Sequence, residues 1–128
     1  MKEEQFRRGI EEFNRGYYFE CHDTLESLWL ETRGPDRLFL QGLIQIAVGF
    51  CHFFNGNYKG STSQFTKGLG KLERYRPSFC GIQLEQFLKD VVRWLAIAEK
   101  GVSGESLEID TSKVPKLQIK HRHLLKEI

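Results

Sequence analysis

The chain has 128 residues, of which 40% are hydrophobic and 28% charged, with a formal net charge of +2. That length suits one ordinary domain, residues 1–128, with a core large enough to need no staples, and a second domain is not expected. The near-balanced charge gives no strong push toward nucleic acid, and the opening "MKEEQF" reads as neither secretory leader nor lipid anchor, so the expected setting is cytoplasmic.

Phe6, Ile10 and Phe13 recur at i, i+4 and i+7 and predict a first helix that closes near Gly16. A second helix is expected from about Tyr18 to Arg33, ended by Gly34. Pro35, which lacks an N–H, suits the first turn of a third helix running to about Phe54. This third helix is apolar nearly all round, as a central helix should be. Its apolar run is broken by Gln41, Gln45 and His52, so no membrane span is expected.

Asn57 is placed to cap a fourth helix carrying Phe65, Leu69 and Leu72, ended by Pro77. Gly60, Gly68 and Gly70 would weaken that helix, and close backbone packing is the expected reason for them. Leu84, Phe87, Leu88, Val91, Leu95 and Ala98 trace one stripe of a fifth helix up to Gly101. Residues 101–112 read as a loop, and "KVPKLQIKHRHLLKEI" as a basic tail with an extended piece and a short helix. No segment alternates with period two long enough to make a sheet. The fold class is therefore all-α, an antiparallel bundle of about five helices over residues 3–100.

Three cysteines, Cys21, Cys51 and Cys80, are odd in number and lack CxxC spacing, which reads as reduced thiols. Cys21 and Cys51 read as core-filling. Phe50, Phe53 and Phe54 read as packing, and as a dimer surface if one side of the third helix is uncovered.

At about 100° per residue, His22, Glu26 and Trp29 fall within about 60° of one another on the second helix. Arg37, Gln41, Gln45 and His52 share an arc of about 80° on the third. If the two helices form a hairpin, facing residues have numbers summing to about 67, which sets His22 level with Gln45 and Glu26 level with Gln41. Four polar groups would then meet inside an apolar shell.

Two readings follow. In one, His22, Glu26, Gln41 and Gln45 form a closed structural network, as buried polar groups usually do. In the other, an imidazole and a carboxylate one turn apart, with Asp23 as candidate third ligand, hold a divalent metal ion. Spacing and burial favour the network, because zinc usually takes three protein ligands and glutamine substitutes poorly. His52 lies about 15 Å along the helix from that set and reads as a satisfied helix-end histidine.

The segments "GIEEFNRGYYFECHDTLESLW" and "RLFLQGLIQIAVGFCHFFNGNYKG" resemble domain-of-unknown-function family 309, with the resemblance running from about Phe6 to Leu72. The family's hallmark is His-x-x-x-Glu-x-x-Trp/Tyr, here His22, Glu26 and Trp29. Where the family commonly reads Glu-Ala-His-Glu, this chain has Glu20-Cys21-His22-Asp23, and Ser61 stands where the family often has alanine. The resemblance implies an all-helical fold and a functional pocket at His22 and Glu26; the helical arcs make Trp29, Arg37, Gln41, Gln45 and His52 the expected lining of a metal or small-ligand pocket there. The family supplies no established reaction. Were the site catalytic, metal-assisted hydrolysis would be the expected chemistry, with Glu26 as base or ligand and His22 as ligand or proton carrier.

The alternative is a non-catalytic helical interaction module, a homodimer in the first instance, in which the His22 and Glu26 network fixes packing. Whether the protein is an enzyme stays open at this point. Lys113, Lys116, Lys120, Arg122 and Lys126 cluster near the end, and a run of this kind is more often a solvated tail than a nucleic-acid surface.

Overall fold

The computed structural model describes residues 1–120. Five helices follow in order: α1 (Glu3–Asn14), α2 (Tyr18–Glu31), α3 (Pro35–Phe54), α4 (Tyr58–Leu72) and α5 (Glu85–Val102). The all-α reading holds, whereas some helix ends differ from their signals: α2 stops at Glu31, α4 at Leu72 well before Pro77, and α5 runs through Gly101 to Val102. Gly16 takes the positive φ that closes α1, α2 ends at an extended Thr32, and Gly34, also at positive φ, precedes Pro35, which opens α3. Asn57 Oδ1 accepts the Gly60 N–H at 2.9 Å and caps α4. Arg122, Lys126 and the short helix expected near the end lie outside the described residues.

α3 is the centre of the bundle. Ten of its twenty residues are buried, against α1 through Phe6–Phe39 and Phe13–Phe50 and against α5 through Phe50–Trp94. By length and composition α3 could also cross a membrane. In this fold most of its apolar side chains are covered by its neighbours. Around Phe50, the rings of Phe13, Tyr18, Phe65 and Trp94 pack with centroids 4.8–5.9 Å away, the range of favourable edge and offset contacts. Phe50 and Phe53 are thus interior, and of the expected dimer surface only Phe54 is exposed.

The α3–α4 seam is closed by glycine. A Cβ on Gly49 would sit 2.4 Å from the Phe65 ring, and one on Gly68 would meet Ile46 at 2.7 Å and the Gly42 carbonyl oxygen at 2.9 Å. Close packing therefore accounts for Gly68, and Gly60 is similarly tight against Asn57 and His52. It does not account for Gly70, around which nothing lies within 4 Å.

One expectation is corrected. A small antiparallel sheet exists, of strands β1 (Ser78–Phe79), β2 (Ile82–Gln83) and β3 (Gln118–Ile119) in the order β1-β2-β3. Strands of two residues have no period to detect. The β1–β2 hairpin turns at Cys80 and Gly81, both at positive φ, the backbone that tight hairpin turns require.

The chain after α5 does not trail away. Residues 113–120 form a strap in which Val114, Pro115 and Leu117 are buried. Trp94 Nε1 donates to the Lys113 carbonyl at 3.1 Å. Asn14 grips the strap with both ends of its amide, Nδ2 donating to Leu117 O at 2.9 Å and Oδ1 accepting the Leu117 N–H at 2.7 Å. β3 then pairs with β2, and the Lys120 N–H reaches Gly81 O at 2.7 Å.

Candidate functional site

α2 buries Tyr18, Cys21, Thr24, Leu25 and Leu28, which leaves the opposite side of the helix outside. His22 stands at the boundary, with 28% of its side chain exposed. Its Nε2 lies 3.0 Å from Glu26 Oε2 and its Nδ1 3.3 Å from Asp23 Oδ1. Glu26 and Asp23 are open to solvent, at 51% and 63% of the side chain. The sealed network expected inside an apolar shell is therefore not what forms. The 60° arc that joined His22, Glu26 and Trp29 runs from the rim of the core outward, not across its centre.

The same geometry tests a metal. Asp23 and Glu26 engage opposite nitrogens of one ring and do not converge on a common point. One edge of the imidazole with one carboxylate gives two ligands, fewer than a closed or catalytic divalent site takes. Among the described residues no group of three His, Cys, Asp or Glu side chains is placed to hold an ion. The donor set as arranged does not fit a metal centre, and no step of hydrolysis follows from it.

The remaining predicted residues lie at the end of α2 and along α3. Gln41 and Gln45 are half-buried on α3, and Gln45 Oε1 is buried with no hydrogen-bond partner. Trp29 is half-buried, with its indole N–H buried and also without a partner. The Arg37 guanidinium lies 3.9 Å from the centre of the Trp29 ring. It also donates through Nη1 to Trp29 O at 2.9 Å and Thr32 O at 3.1 Å. Arg37 therefore closes the α2–α3 turn by stacking and capping. His52 sits at the end of α3 with Nδ1 3.4 Å from Asn57 Nδ2, apart from the His22 cluster, as its spacing predicts. None of these residues lines the grooves beside α5, along the start of α1 or between α4 and α5.

Residues 6–64 match the family described as Domain of unknown function (DUF309). The resemblance drawn from the chain's residues is thereby borne out over α1, α2, α3 and the first half of α4. No curated protein matches the chain. Within the DUF309 segment, Cys21 is core-filling as expected: burial, reinforced by the neighbouring Glu12 carboxylate, pushes its thiol up to about 12. Cys51 is half-buried at the core's edge.

Two residues on the outer face of the segment were not singled out from the sequence. Phe19 and Leu30 are each 62% exposed. With Asp23 and Glu26 they form a stripe at i, i+4, i+7 and i+11, apolar at both ends and acidic in the middle. The signal was present, since this spacing runs along one side of α2 while Cys21, Leu25 and Leu28 run along the other.

Proposed function

We propose that the protein is a non-catalytic helical interaction module whose recognition surface is the outer face of α2, with His22, Asp23 and Glu26 at its polar centre. The observation that carries this reading is the exposed stripe Phe19–Asp23–Glu26–Leu30. Large exposed apolar side chains flanking charges are the makings of an interface, with anchors at the ends and specificity between.

The partner follows from the pattern. A second copy docking antiparallel about a twofold axis would bring Phe19 opposite Leu30 and Asp23 opposite Glu26, a like-charge contact at the centre of the interface. α2 carries Glu20, Asp23, Glu26 and Glu31 and neither lysine nor arginine. The fitting partner is a different protein presenting an amphipathic helix with basic residues between apolar ones.

The test uses the full chain and a synthetic helical peptide with leucines at i and i+11 and lysines at i+4 and i+7. Binding is expected to weaken as salt rises. It should fall by about tenfold with Asp23→Asn and Glu26→Gln combined, equivalent to about 1.4 kcal/mol. Peptide binding that is absent, or indifferent to the substitutions, overturns the reading. Near-stoichiometric metal in the chelator-stripped and reloaded protein, lost in Glu26→Gln, would return the site to metal chemistry.

A further inference from the structure

Two adjoining grooves of about 440 and 490 Å³ run between α5 and the segment 108–118. Asp90, Arg93 and Lys113 line both. Gln83 and Gln118 are register partners of β2 and β3. Their side chains therefore leave one face of the sheet, the face away from the buried Ile82, and both line the larger groove. Gln83 Nε2 is buried there with no acceptor, an arrangement that costs stability unless something accepts from it.

The charges of the groove are already sorted. Asp90 Oδ1 is held by Arg93 Nη2 at 2.8 Å and by Gln86 Nε2 at 2.9 Å. Asp110 Oδ1 accepts from Ser112 twice, from N at 3.0 Å and Oγ at 2.6 Å, and those bonds hold its carboxyl below the usual carboxylate range. Lys116 Nζ rests on a neutral group, the Asn14 carbonyl, at 2.6 Å. Lys113 forms no salt bridge among the described residues. Two lysines and an unsatisfied amide donor thus line the larger groove, whose one carboxylate is spoken for.

We propose that this groove binds a small organic oxyanion. Lys113, Lys116 and Gln83 Nε2 receive the anionic head, while Phe87 and Val114 lie against an apolar body. A nucleic-acid strand fits less well, because the groove continues toward Glu108 and Asp110, where a second phosphate would meet carboxylates. The inference is independent of the α2 surface and shares no residue with it.

The experiment is an NMR titration of the full chain with inorganic phosphate and with phenyl phosphate at constant ionic strength. The expected result is saturable amide shifts confined to residues 83–86 and 112–118. Phenyl phosphate should bind about tenfold tighter, as burial of an aromatic body requires. Lys113→Gln with Lys116→Gln should weaken binding by about tenfold. Gln83→Leu should weaken it several-fold with the melting temperature unchanged or raised, which a merely structural glutamine would not show. The proposal is overturned if the shifts are absent, if chloride reproduces them, or if the substitutions leave them intact. A short single-stranded RNA that binds there more tightly than phenyl phosphate overturns it in favour of a polyanion track.

Discussion

Toward α4, helix α3 offers Gly42 and Gly49, and α4 answers with Gly68, so the two backbones close until a single added carbon would strike a ring or a carbonyl. On its polar arc, the same helix offers Gln41 and Gln45, half-buried, with one amide oxygen left unpaired. Close-packed interiors gain their last increments of stability from complementarity of the first kind. Polar groups of the second kind contribute little or oppose folding. One helix therefore has a flank shaped by packing and a flank that tolerates a cost.

The most severe way to break this contrast is at the tight flank. Gly68→Ala should destabilise the protein by about 2–3 kcal/mol, because its Cβ meets a backbone carbonyl that cannot swing aside. Urea denaturation measures it, and a loss below about 1 kcal/mol would mean that the seam can relax. Next comes an exception inside that flank. Ser61 is fully buried with its hydroxyl unpartnered, so Ser61→Ala should raise stability by about 1 kcal/mol. On the polar flank, Gln45→Leu should also stabilise, by about 1 kcal/mol or less. A marked loss instead would reveal that the amide has a structural partner.

Smaller still, Glu26→Gln should change stability by about 0.5 kcal/mol or less, the usual scale of an exposed ion pair. A cost of several kcal/mol in thermal or chemical unfolding would make His22 and Glu26 part of the core after all. Gly70→Ala, in open space on α4, should add about 0.5–1 kcal/mol and would show that this glycine answers to no packing demand.

The helices were legible because their signals are local. Gly16, Gly34, Pro35 and Asn57 each mark an end by their own backbone chemistry, and the stripe through Phe87, Leu88 and Val91 repeats often enough to be seen. The strap and the sheet were not, because a two-residue strand carries no periodicity and because the partners of Leu117 lie on α1. The candidate site was legible in its members and misread in its depth. Helical angles place His22, Glu26 and Trp29 on a common side, but only the position of the neighbouring helices decides whether that side is core or rim. Arg37 shows the same limit: its place on the α3 arc was readable, whereas its stacking on Trp29 depends on how the Gly34–Pro35 turn folds the two helices together.

The clasp between Asn14 and Leu117 ties residues 103 positions apart in the chain. Its consequence reaches the matched segment itself. Residues 6–64 include the helix that Asn14 ends, yet the groups that satisfy the Asn14 amide come from the strap, as does the acceptor for Trp94. The matched segment is thus not an autonomous folding unit here. A chain cut after α5 would leave the end of α1 uncovered and the Trp94 indole without its acceptor. The natural boundary of this fold, for anyone excising or fusing it, falls beyond β3.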